Sequence, residues 1–159
     1  DDRVVDKLST AINEICDKHG LTPIFVPFQS KIGDVITEKL SLRCKRGITL
    51  SGLSATELCG IIDICEFTIS MRLHLLIFAA SRSVPMIGVS YDKKVDSFMK
   101  YVGSDAICDV RYFEPEEIIS SVDEIFENRD ALIQKLSKKN IEFTELTQKD
   151  AKAVIKMLQ

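Results

Sequence analysis

The chain has only two histidines, His19 and His74, and although it carries five cysteines (Cys16, Cys44, Cys59, Cys65 and Cys108) it has no Cys-x-x-Cys pair. The spacings of structural zinc modules are missing, so a His/Cys zinc site is not expected. The cysteines are odd in number and most lie among apolar neighbours, as small buried hydrophobes do. Free thiols in a reducing compartment are the expectation, with no disulfide framework. An excess of positive charge is also missing. A net charge of -3 over 159 residues offers no basic face to nucleic acid or to an anionic membrane. The longest apolar run, Leu75 to Ala80, is far too short to span a bilayer. Asp1-Asp2-Arg3 has neither the basic nor the apolar region of a signal peptide. There is no low-complexity linker, internal repeat or clear internal boundary, and residues 1–159 read as one domain. The turn around Gly52 lacks the Gly-Lys-Ser/Thr ending of a phosphate loop, and the three spaced glycines of a dinucleotide site are absent. No Ser, Cys or Asp carries a nearby motif marking it as a nucleophile.

What is present is an ordinary globular balance, 45% hydrophobic and 28% charged residues, with strand-length apolar runs alternating with helical patterns. A helix opens the chain, with Asp1 or Asp2 as cap, Val4, Val5, Leu8, Ile12 and Ile15 on one side, and Gly20 closing it. Strands are expected at Thr22 to Phe28, Gly47 to Leu50, Phe67 to Ile69, Val84 to Val89 and Ala106 to Val110. Helices are expected between and after them. They run over Ile32 to Leu42, from the Ser54/Glu57 capping box, from about Met71 to Arg82, over Lys93 to Val102 ahead of Gly103, and from Pro115. A last helix over Asn128 to Leu158 is expected to break near Asn140. The alternation predicts an α/β fold: a doubly wound, mostly parallel Rossmann-like sheet of about five strands. Such a domain usually leads with a strand, and none precedes Val4.

In a parallel sheet, ligands bind beyond the carboxyl ends of the strands. At the Phe67–Ser70 junction, Arg72 and His74 are the only ionisable residues in the first turns of an otherwise apolar helix, which is expected to lie buried at the sheet centre. Free N–H groups and the helix dipole there favour an anion. A guanidinium can grip a carboxylate or phosphate through paired hydrogen bonds, and an imidazole can donate to it or move a proton. The alternative is structural: Arg72 pairs with a nearby acid, and His74 caps the helix or fills a gap. At the next junction Ser90, Tyr91 and Lys94 face the same crevice, with Asp92 as the helix cap. Gln29, ahead of Asp34, is a further candidate. His19 beside Gly20 reads as structural.

Ser70-Met71-Arg72-Leu73-His74, Ile77-Phe78-Ala79-Ala80 and Val84 to Val95 (with Tyr91-Asp92-Lys93-Lys94-Val95) together resemble the signature of the polysaccharide pyruvyl transferases, of the bacterial cell-wall type. Val26-Pro27-Phe28-Gln29 with Asp34, and Leu53-Ser54 to Glu57-Leu58, are similar to the same family. The likeness runs from about Val4 to Gly103. It implies one half of a two-domain enzyme of GT-B type, namely the C-terminal domain, and leaves the activity of this part alone open. It implies transfer of pyruvate from phosphoenolpyruvate to a sugar diol as a ketal, in cell-surface polysaccharide synthesis. Arg72 and His74 would be catalytic; Arg72, Lys94, Ser70, Ser90, Tyr91 and Gln29 would bind substrate. No metal or other cofactor is called for. The partners are phosphoenolpyruvate and a lipid-linked or polymeric glycan, in the cytoplasm and at the inner membrane face through the acceptor. A nucleotide-sugar glycosyltransferase and a non-catalytic binding module are the competing readings. The apolar face of the last helix is expected to pack on its own domain or on a second copy of the chain.

Overall fold

The computed structural model describes residues 2–27, 33–104 and 107–157. The opening helix α1 (Asp2–His19) leads into β1 (Ile24–Phe25), α2 (Gly33–Arg43), β2 (Ile48–Thr49), α3 (Ala55–Asp63) and β3 (Thr68–Ser70). There follow α4 (Leu73–Ser81), β4 (Met86–Ser90), α5 (Lys93–Val102), β5 (Ile107–Asp109), α6 (Pro115–Glu127) and α7 (Arg129–Met157). Local chemistry sets many of the boundaries. Ser54 and Glu57 form the reciprocal capping box that starts α3. Asp92 caps α5 by accepting from the Lys94 amide, and Gly103 ends it at φ 73°, the left-handed conformation that glycine adopts without cost. Pro115 occupies the first turn of α6.

The strands do not form the single doubly wound, Rossmann-like sheet of about five strands that the alternation predicts. They form two parallel sheets, β1-β2 and β3-β4-β5, among the described residues. What shortens the smaller sheet is local. Pro23 and Pro27 bracket β1, and proline cannot donate to a ladder, so the β1–β2 pairing is limited to Ile24↔Ile48 and Phe25↔Thr49. Each expected strand has a counterpart of two to five residues, β3 being shifted by one residue, and helix dominates the described residues. Ala106, Phe28 and Leu158, at the ends of expected elements, lie outside the described residues.

The three-stranded sheet is covered on both faces. Residues of β4 are buried along its whole length and alternate between two cores. Ile87 and Val89 join Val5, Leu8 and Ile15 of α1 and Ile118 and Val122 of α6. Met86 joins Leu58, Leu76, Val95, Met99 and Leu136 on the other side. Full burial of a side chain such as Ile87 is worth about 1.5–3 kcal/mol. His19 is structural: its ring stacks on Phe126 at 4.3 Å between centroids, and Nε2 lies 3.0 Å from Asp123 Oδ1.

Two further expectations are corrected. The helix α4 is not buried all round, since His74 and Ile77 are exposed on it. The helix α7 does not break at Asn140. It runs unbroken because the Asn140 side chain turns outward and donates to Ala80 O (2.8 Å) and Ser83 Oγ (3.1 Å), satisfying groups at the end of α4 rather than competing with its own helix. The first half of α7 packs on its own chain, through Leu136 and through Phe143 stacked on Tyr101. Leu146 and Ile155, farther along, are exposed.

Candidate active site

The register of β3 and β4 places Ser70 opposite Gly88, so β4 runs two residues past the end of β3. Ser70 and Ser90, their last residues, are both buried. Each shapes its own turn. Ser70 Oγ accepts from the Arg72 amide at 2.9 Å and donates to the Arg72 carbonyl at 3.2 Å. Ser90 Oγ donates to the Asp92 carbonyl at 3.2 Å. These hydroxyls are thus engaged within the chain and act on the site by fixing the backbone that follows.

Arg72 is the N-cap residue of α4, with extended backbone (φ -99°, ψ 119°). Its carbonyl accepts from the amides of Leu75 and Leu76, leaving the first amides of the helix directed beyond the strand ends. His74 follows within that first turn and is exposed. Across the ladder, Tyr91 (56% exposed) and Lys94 flank the Asp92 cap. Lys94 is exposed too. Arg72, Tyr91 and Ser70 line one end of a cavity of about 980 Å³, whereas His74, Ser90 and Lys94 do not line it. Gln29 lies outside the described residues, as does the side chain of Asp34.

A feature without a sequence motif completes the row of strand ends. Asp109 closes β5 opposite Ser90. Arg111 donates to it in bidentate fashion, from Nε to Oδ1 at 3.0 Å and from Nη2 to Oδ2 at 2.7 Å. The Arg111 side chain and amide hold the Asp109 carboxyl at a pKa of about 2. The available signal was positional only: a charged residue at the carboxyl end of an apolar strand. Among the described residues no three His, Cys, Asp or Glu side chains group as metal ligands. The described cysteines are free, and burial raises the Cys44 thiol to about 11, far from a reactive thiolate.

Arg72 and His74 thus stand at the start of α4 and Lys94 at the start of α5, while the Arg111 guanidinium is engaged by Asp109. The family model for polysaccharide pyruvyl transferase matches residues 1–93. The chain belongs to the polysaccharide pyruvyl transferase family. The match covers both junctions as far as Lys93, including Ser70, Arg72, His74, Ser90 and Tyr91, and stops one residue short of Lys94. No curated protein and no solved structure matches the chain. Membership in the polysaccharide pyruvyl transferases makes it one of a family of transferases and fits a glycan acceptor. No helix among its described residues is long and apolar enough to cross a membrane.

Proposed function

We propose that this polysaccharide pyruvyl transferase takes pyruvate from phosphoenolpyruvate and closes it as a cyclic ketal on a sugar diol of a cell-surface glycan precursor, on the cytoplasmic side. The observation that supports this reading most is the placement of Arg72. It stands at the cap of α4, beside the end of β4, within the family-matched segment.

Phosphoenolpyruvate bears a carboxylate and a phosphate on adjacent positions. The Arg72 guanidinium and the free amides of the first turn of α4 bind one of these groups, and Lys94, helped by Tyr91, binds the other. His74 gives a proton to the methylene carbon, which becomes the methyl group, and the central carbon turns electrophilic. One sugar hydroxyl adds to that carbon and releases its proton. The bond from the carbon to the phosphate oxygen breaks and phosphate departs. The second hydroxyl then adds, releases its proton and closes the ketal. No metal or other cofactor is required by these steps. Ser70 and Ser90 hold the two turns that carry the binding groups.

The test is ketal formation from phosphoenolpyruvate and a disaccharide diol, with phosphoenolpyruvate binding measured in parallel. His74→Ala is expected to slow turnover by about a hundredfold or more while leaving donor binding largely intact. Arg72→Ala is expected to weaken donor binding. Near wild-type values for both variants would overturn the assignment. Saturable binding of a nucleotide sugar that phosphoenolpyruvate does not displace would instead point to glycosyl transfer.

A further inference from the structure

All three tyrosines of the chain are exposed, and two of them follow adjacent strand ends. Tyr91 comes directly after Ser90, the last residue of β4, and Tyr112 comes three residues after Asp109, the last of β5. Ser90 pairs with Asp109, and the Val110 amide donates to Ser90 O at 2.9 Å. These two strands therefore end level with each other, on the side of the sheet where a parallel arrangement binds ligands. Tyr112, with 74% of its surface in water, forgoes the burial that an aromatic ring usually gains.

That exposure is fixed by the backbone. The Asp109 carbonyl accepts from the amides of both Tyr112 (3.0 Å) and Phe113 (2.9 Å). Phe113 is buried, its carbonyl accepts from Lys7 Nζ at 2.9 Å, and the Glu114 amide donates to Glu117 Oε1 at 2.9 Å. Both ends of the turn are thus pinned while Tyr112 is held out. Arg111 arranges its two neighbours at once. Its guanidinium lies over the Tyr112 ring, 5.3 Å from the centroid, and grips the Asp109 carboxylate in bidentate fashion. Asp109 Oδ1 accepts from the Arg111 amide and Nε, whereas Oδ2 accepts only from Nη2 among the described residues. A carboxylate has about four acceptor positions, so Oδ2 keeps capacity for a further donor. The Asp109 side chain is partly open to solvent.

This chemistry is not that of the donor site. A carboxylate beside the ligand disfavours another anion, and its Arg111 partner disfavours a cation. A neutral polyol suits the pair, because its hydroxyls donate to the carboxylate and its C–H face packs on an aromatic ring. We propose that Asp109 and Tyr112, positioned by Arg111, form the subsite of this chain for the sugar acceptor: a sugar ring packs on Tyr112 and one of its hydroxyls donates to Asp109 Oδ2. The subsite adjoins the Tyr91 and Lys94 junction, one strand farther from Arg72 and His74. The proposal rests on the pyruvyl-transfer reading, which supplies the sugar.

The probe is the disaccharide diol alone, titrated against the chain without phosphoenolpyruvate and followed by saturation-transfer NMR. Phosphoenolpyruvate binding is measured separately. Tyr112→Ala and Asp109→Asn should each weaken disaccharide binding by about tenfold or more, and leave phosphoenolpyruvate binding within about twofold. Tyr112→Phe, which keeps the ring, should bind the disaccharide nearly as the unaltered chain does. In ketal formation the Tyr112→Ala loss should fall on the KM for the disaccharide and not on kcat. Absence of saturable disaccharide binding, undiminished binding by folded Tyr112→Ala, or an equal loss of phosphoenolpyruvate binding would each overturn the proposal. Should Asp109→Asn unfold, Tyr112→Ala decides, since the replaced side chain is exposed. A chain that binds the disaccharide through Tyr112 but forms no ketal would keep the subsite and overturn the pyruvyl-transfer reading instead.

Discussion

Ser70 and Arg72 are joined twice through one hydroxyl: Ser70 Oγ accepts from the Arg72 amide at 2.9 Å and donates to the Arg72 carbonyl at 3.2 Å. The bond pair sets where the chain leaves β3 and hence where the guanidinium is delivered. Ser70→Ala removes both bonds within a buried turn. It is expected to cost about 1 kcal/mol of stability and to lower kcat/KM for phosphoenolpyruvate by about tenfold, chiefly through KM. Ser70→Thr should recover part of the KM effect, which a loss of stability alone would not move. Steady-state kinetics beside urea unfolding separates the two.

Gly88 sits in β4 where a side chain has no room. A Cβ at this position would lie 2.9 Å from Met99 Cγ and 3.2 Å from Val95 Cγ1. Gly88→Ala is expected to destabilise by about 1–3 kcal/mol, toward the lower figure because methionine can shift. Removing the obstacle in the double variant Gly88→Ala with Met99→Ala should give a stability loss smaller than the sum of the two single ones. Strict additivity in urea unfolding would contradict this contact.

Asp123 ties α6 to the end of α1. Lys18 first and His19 second, both hydrogen-bonded to the Asp123 carboxylate, hold its pKa below the ordinary value of 3.8. A carboxyl group with a depressed folded pKa stabilises fully above its unfolded value and loses that contribution as pH falls through the folded one. Unfolding midpoints should therefore decline as the pH drops from about 4 toward the lowered pKa. Asp123→Asn should be less stable near neutrality and show a flatter decline over that acid range. Parallel curves for the two proteins would exclude the linkage.

Asn140 fastens the long helix α7 to the end of α4. Its Nδ2 donates to Ala80 O and to Ser83 Oγ, and Ser137 donates to the same Ser83 hydroxyl at 3.0 Å. Asn140→Ala should leave the helical content unchanged, because alanine is the better helix former. It should still lower stability by about 1–2 kcal/mol and speed amide exchange in the last turn of α4. Loss of helix signal would mean that the asparagine maintains α7 itself.

Much of the secondary structure was legible because its causes are local. The capping box at Ser54, the aspartate cap and glycine stop of α5, and Pro115 at the head of α6 each act within a turn, and these boundaries match the sequence reading. Sheet membership was not legible. An apolar run reports burial, not the identity of the neighbouring strand, and the run over Thr22 to Phe28 reads as a full strand only if Pro23 and Pro27, which confine the ladder to two residues, are given no weight. Asn140 misled for a related reason. Its low helix propensity suggested a break, whereas the tertiary bonds that overrule it come from residues nearly sixty positions earlier. At the site, Arg72 and His74 stood out because charge is rare in that helix. Asp109 and Arg111 did not, because a bidentate pair on an exposed strand end looks like any charged turn in sequence.

The hydrogen-bonded register of Ser70 with Gly88 and of Ser90 with Asp109 makes the central sheet a ruler for its own loops. One residue inserted or removed within Met86–Ser90 would move the β4 junction by about 3.3 Å against both neighbours and invert which core each side chain enters. Length changes in natural or engineered variants should therefore be tolerated in the loops that follow the strands and eliminated within β4, so that the spacing from Ser70 to Ser90 is held more tightly than the residues between them.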